Sequence, residues 1–194
     1  MRELVHCLGM SAVLLAACGG SSNTNPGSYA STGACANMAC LKQAADLMLS
    51  CAGAATCILQ QDLTASPATS SQCYDNGVKI LSNMQTTSGS ATLQMSYTYK
   101  VKKNDTLCYT RTMVSSQSFA DGGINYGMDF TLQDATGKTL VTSHEDINDV
   151  ATVTCPGGEP TVFADSCGPS LAVNGVYATL GTSPPTCTAG TCSF

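Results

Sequence analysis

The sequence predicts an α+β domain in which an N-terminal, disulfide-linked helical hairpin packs on an antiparallel β-meander of about five to seven strands. Three observations predict it. Residues 34–63 carry apolar side chains at a helical period, later segments alternate apolar and polar residues between turn signals, and 12 cysteines are spread along the 194-residue chain.

Residues 1–17 open with Met1 and Arg2, run through Leu4, Val5, Leu8 and Met10, and end in SAVLLAA. A charged start, a short apolar stretch and small residues at the end are the layout of a secretory signal, and the stretch is shorter than the ~20 apolar residues that span a bilayer. Leu15, Ala16 and Ala17 followed by Cys18 resemble the lipobox of bacterial lipoproteins. The resemblance covers residues 1 to about 20. It implies cleavage before Cys18, acylation of the Cys18 thiol and of the new N-terminus, and a lipid bilayer as partner; one acyl chain anchors marginally, several anchor stably. Gly19 in place of Asp implies delivery to the outer membrane, with the periplasmic or outward orientation left open.

With Cys7 lost in the signal and Cys18 lipidated, ten of the 12 cysteines remain: Cys35, Cys40, Cys51, Cys57, Cys73, Cys108, Cys155, Cys167, Cys187 and Cys192. An even number in an exported chain reads as five disulfides, among about 945 possible connectivities.

Residues 18–33 combine the anchor cysteine with a Gly/Ser/Asn/Pro-rich tether that spans about 20 to 25 Å. The remaining residues, 34–194, are read as one cysteine-rich domain: a helical hairpin over 34–63, a β region over 72–182 and a cysteine-containing tail over 183–194. Along the first helix Cys40, Leu41, Ala44, Leu47, Met48 and Cys51 share one face, with Lys42, Gln43, Asp46 and Ser50 opposite. Cys40 and Cys51 lie about 16 Å apart along such a helix, beyond the roughly 7 Å that a disulfide tolerates between Cα atoms. Gly53 stops this helix, and a second helical piece over 54–63 completes the hairpin. That geometry favours Cys51 with Cys57, and Cys40 reaching to Cys73.

A Ser/Thr-rich turn at 65–71 leads into strands. Over 91–101, Leu93, Met95, Tyr97, Tyr99 and Val101 alternate with Thr92, Gln94, Ser96, Thr98 and Lys100, giving one dry and one wet face. KKND turns the chain into a partner strand over 107–114. Tyr126, Met128, Phe130 and Leu132 alternate likewise, DATGK turns the chain into a strand over 139–143, and 150–155, 161–163 and 176–180 are shorter candidates. In the tail, Cys187 and Cys192 either close a small loop on each other or each pin the tail to the sheet.

The net charge of −5, with no basic cluster larger than Lys100, Lys102 and Lys103, argues against nucleic acid as a partner. His144 is the one histidine left after the signal is removed, and without a G-x-S-x-G elbow or an HExxH helix it reads as a surface histidine. Cys35-x4-Cys40 and Cys51-x5-Cys57 suit zinc by type, but an oxidising compartment favours disulfides. Glu145, Asp146, Asn148 and Asp149 gather oxygen donors, yet lack the central Gly and final Glu of a calcium loop and read as solvated. Residues 119–129, FADGGINYGMD, read as a long surface connection in preference to a binding loop. Tyr97 and Tyr99 read as core, and the absence of Trp leaves no evident platform for stacking sugars.

No cofactor, metal or catalytic constellation is predicted. The expectation is a membrane-tethered binding or interaction module of the cell envelope, its envelope protein or glycan partner unspecified. The alternatives are an envelope hydrolase using paired carboxylates and a purely structural lipoprotein.

Overall fold

The computed structural model describes residues 39–54, 56–120, 123–146, 151–163 and 186–194. The signal, Cys18, the tether, Cys35, Asn148, Asp149, Cys167 and the 176–180 strand candidate lie outside them. One helix, α1 (Ala39–Ser50), precedes β1 (Thr56–Asp62), β2 (Ala68–Tyr74), β3 (Val78–Ser88), β4 (Thr92–Lys103) and β5 (Thr106–Ala120). β6 (Gly123–Asp134), β7 (Thr139–Asp146), β8 (Ala151–Thr154), β9 (Thr161–Phe163) and β10 (Thr186–Ala189) follow. They form one ten-stranded sheet in the order β10-β1-β2-β3-β4-β5-β6-β7-β8-β9. Every neighbouring pair is antiparallel except β1 with β10, so the sheet is mixed.

The expected helical hairpin is not formed. α1 stands alone among the described elements, and the segment expected as its partner is strand β1. Two causes act. Gly53 passes so close over the Tyr74 ring that a Cβ there would sit 2.6 Å from it, and this sends the chain along the sheet instead of back along α1. A seven-residue piece holds little helical stability of its own, whereas β2 and β10 give β1 a ladder on both edges. The expected five to seven strands become ten because the segments expected as a second helix and as an irregular tail form β1 and β10, and because Ser, Thr and Gln in β2 and β3 mask their strand character; residues 119–120 and 123–129, expected as a surface connection, lengthen β5 and β6.

Alternation within strands divides the sheet into two faces. One carries Val101, Tyr99, Tyr97 and Met95 from β4, Met113 from β5, Phe130 and Leu132 from β6, Val141 from β7 and Val153 from β8. α1 lies on this face against β5 and β7, inserting Leu41, Ala44, Ala45 and Met48. Ala44 and Ala45 are fully buried, and their small side chains allow the close approach of helix to sheet. At the end of α1, Lys103 Nζ donates to the Ser50 carbonyl at 2.9 Å, a cation placed at the negative helix terminus.

The disulfides fix what this small helix cannot hold alone. They join Cys40 to Cys155, Cys51 to Cys108, Cys57 to Cys187 and Cys73 to Cys192. The favoured pairings of Cys51 with Cys57 and Cys40 with Cys73 are thereby corrected, since β1 leads away from α1. Of the two alternatives for the tail, each cysteine pins it to the sheet. The partner of Cys51 depends on a bulge: Val101 faces Tyr109 and Lys102 faces Leu107, leaving Cys108 as the extra residue, and this re-aims its side chain toward α1. After β10 the tail crosses the edge of β1, where Gly190 N donates to the Leu59 carbonyl (3.0 Å) and Cys192 N to Gln60 Oε1 (2.9 Å). Phe194 ends beneath Lys102, with Nζ 4.3 Å from the ring centroid.

Turn chemistry sets the hairpins. Asn104 and Asp105, with φ of 50° and 63°, supply the two left-handed positions of the tight β4–β5 turn. Asp134 accepts hydrogen bonds from Thr136 N, Thr136 Oγ1 and Lys138 N before Gly137, at φ 85°, reverses the chain. Asp62 accepts from Thr64 Oγ1, Thr64 N and Ala65 N. These bonds, and the Lys79 ammonium beside Asp105, hold all three carboxyls below the ordinary 3.8. A depressed folded-state pKa contributes stability that is present above the unfolded value and is lost as pH falls through the folded one. Urea midpoints are therefore expected to fall with acidification below about pH 4, and Asp134→Asn should flatten part of that fall. A midpoint unchanged down to pH 2.5 would contradict this account.

Candidate binding groove on the polar face

The face opposite α1 is built from hydroxyls and amides. Thr98, Thr112, Thr131, Thr142 and Thr154 stand directly opposite one another across β4 to β8, forming a threonine ladder over five successive strands. The next rung is Ser96, Val114, Asp129, His144 and Thr152, and beyond it come Gln94, Ser116, Gly127 and Asp146. Thr92, Ser118 and Asn125 finish the far end, the end remote from the 104–105 turn. Among the described residues the tail covers this face only near β1, β2 and Lys102.

At the far end lies an open groove of about 500 Å³, within the range of small-molecule sites. Thr87, Gln94, Ser116, Ser118, Asn125 and His144 line it, with Gly127 in its floor. Gly127 has no left-handed backbone requirement; it provides space. A Cβ at Gly127 would meet His144 Cε1 at 3.0 Å, Ser116 Oγ at 3.6 Å and His144 Nε2 at 3.7 Å. The imidazole therefore lies over the glycine, with Nε2 at the groove. His144 Nδ1 donates to Asp129 Oδ1 at 2.7 Å. Both side chains are more than half exposed, so the pair adds at most about 1 kcal/mol to stability and serves mainly to orient the ring.

Ser116, His144 and Asp129 share this face, but they do not form a nucleophilic relay. Ser116 Oγ donates weakly to the Gly127 carbonyl at 3.5 Å, and the serine-to-imidazole bond that would activate it is not among the hydrogen bonds of the site. Glu145 and Asp146 leave β7 on opposite faces, so these neighbours in sequence do not converge. Among the described residues no three His, Cys, Asp or Glu side chains come together as a metal site. The shifted carboxyls, Asp62, Asp105 and Asp134, are all held low by turn contacts, the opposite of what a general acid needs. Tyr97 and Tyr99 stack at 6.4 Å on the α1 face, with the Arg111 guanidinium 5.4 Å from the Tyr99 and Phe130 rings.

His144 was legible in the sequence as an isolated surface histidine; its union with Asp129, Gly127 and Ser116 was not. Compared with family models, curated proteins and solved structures, the chain shows no match, so the site is read from its own chemistry.

Proposed function

We propose that the chain is a membrane-tethered binding module of the cell envelope, acylated at Cys18 and using the polar sheet face as its working surface. The observation that carries this reading is the groove itself: oriented hydroxyl, amide and imidazole groups gather at the far end of the face that α1 leaves uncovered. α1 and its disulfides lie near the 104–105 turn, at the end of the sheet remote from the groove. Roughly 34 Å of strand between Cys108 and Ser118 separates that end from the groove. The lipobox-like residues Leu15 to Cys18 support export and anchoring, and the disulfides fit an oxidising compartment.

Cys18→Ser is expected to abolish acylation and leave residues 1–17 attached. Intact-mass spectra of membrane-extracted protein check this, and an unacylated N-terminus in the parent chain would end the anchoring claim. A second experiment replaces residues 1–18 by an ordinarily cleaved secretion signal. The released protein should still sediment with purified envelope material, and Gly127→Val should prevent it. Failure of the unaltered released protein to sediment would remove the binding reading and favour a structural role.

A further inference from the structure

We propose that the groove takes a neutral oligosaccharide, lying across strands β3 to β7, with Gly127 setting its depth and His144 Nε2 pairing with a ligand hydroxyl. The proposal deepens the binding-module reading and rests on it.

Charge is the first argument. The groove is lined by no lysine, arginine or carboxylate. Lys79, Lys100, Lys102, Lys103 and Lys138 lie toward the opposite end of the sheet, by the 104–105 and 135–138 turns, and Arg111 is on the other face. Asp129 and Asp146 stand nearby on the same face instead. A phosphate or uronate would meet repulsion with no compensating cation, while a metal cation would find no carboxylate in the lining.

Hydrogen-bond chemistry is the second. Ser and Thr hydroxyls each donate and accept, and Gln94 and Asn125 bring amide donors with a carbonyl acceptor. Such a surface is matched by a ligand whose groups also do both, which is the character of sugar hydroxyls. Leu93 and Tyr126 add apolar surface to the lining, but an acyl chain would strip water from these hydroxyls and amides without pairing them. Imidazole held by Asp129 through Nδ1 presents Nε2 in a fixed direction, so pairing it costs little ordering.

Shape is the third. From Thr87 on β3 to His144 on β7 the site crosses four interstrand steps, about 19 Å, which suits an extended oligomer better than a single ring. Gly127 leaves room at its centre, because any side chain there would enter between the imidazole and the Ser116 hydroxyl.

The test is calorimetric titration of the purified full chain with neutral hexose oligosaccharides of about four to six units, sized to the site's span, and with uronic-acid oligomers of the same length. Neutral oligomers should bind. Gly127→Val should weaken them at least about tenfold, and His144→Ala and Gln94→Ala about three- to tenfold each, the loss of one hydrogen bond. To separate a folding defect from a binding defect in Gly127→Val, its circular dichroism and melting are compared with those of the parent chain, and the two alanine variants test the same groove independently. Equal or tighter binding of uronic-acid oligomers, or parent-like binding by all three variants, would overturn the proposal. If envelope sedimentation persists and depends on Gly127 while no neutral oligomer binds, the ligand class is wrong and the binding module stands. If the released protein does not sediment either, both fall.

Discussion

Reducing the disulfides is expected to detach α1 and the C-terminal tail and to cost the domain most of its stability. α1 has 12 residues, a length at which an isolated helix is marginal in water, and its sheet-facing residues include two alanines. Cys40–Cys155 and Cys51–Cys108 clamp its two ends to the sheet. β10 has four residues and one ladder partner, so Cys57–Cys187 and Cys73–Cys192 carry the tail. The bridges close sequence separations of 115, 57, 130 and 119 residues. For loops of that size the chain-entropy treatment gives about 4 to 5 kcal/mol apiece, not strictly additive, against roughly 5 to 15 kcal/mol for a whole domain. Replacing Cys51 and Cys108 together by Ala should therefore lower unfolding free energy by about 2 to 5 kcal/mol. Cys40, Cys51, Cys57 and Cys192 are buried, so urea melts with and without reductant are the appropriate measurement. Coincident melts would refute the account. Non-reduced peptide mapping should return the same four pairs and, with Cys18 acylated, a link between the two cysteines left by counting, Cys35 and Cys167.

The elements legible in the sequence are those whose signals are local. Alternation from Leu93 to Val101 and from Tyr126 to Leu132 marks strands β4 and β6, and KKND and DATGK mark the turns beside them. β1 carries apolar residues at Cys57, Ile58 and Leu59 that satisfy a helical stripe as readily as a strand; its two ladder neighbours decide the matter. The groove depends on register, and a bulge determines register. Gln133 faces Thr139, so an unbroken ladder would put Ser143 opposite Asp129. The irregularity between Leu132 and Gln133 advances the pairing by one residue and puts His144 there instead. The same device at Val101/Lys102 selects Cys108 as the partner of Cys51. Side-chain periodicity carries no mark of an inserted residue, so neither the His144–Asp129 pair nor that disulfide could be read before the ladder was known.

Leu132→Ala should be the most damaging single substitution outside the cysteines, and Phe119→Ser on the same face should be nearly silent. Leu132 is fully buried in β6, opposite Arg111 on β5 and Val141 on β7, in the cluster that receives α1. Truncation removes buried methyl groups and leaves a cavity that a β-ladder fixed on both sides cannot close, a loss of about 2 to 5 kcal/mol. In a chain of this size that corresponds to a fall in melting temperature of roughly 5 to 15 °C. Phe119 sits eight residue pairs along the same β5–β6 ladder from the Arg111–Leu132 pair, 51% exposed, opposite Ile124, which is equally exposed. Its replacement should change stability by no more than about 0.5 to 1 kcal/mol. The contrast tests whether the apolar core is concentrated under α1, and equal losses from the two variants would show that it is not. It also bears on the groove. Phe119 leaves β5 on the α1 face while Ser118 leaves it on the polar face, so Phe119→Ser should preserve ligand binding, and a core confined to the end under α1 leaves the far end of the sheet available for recognition.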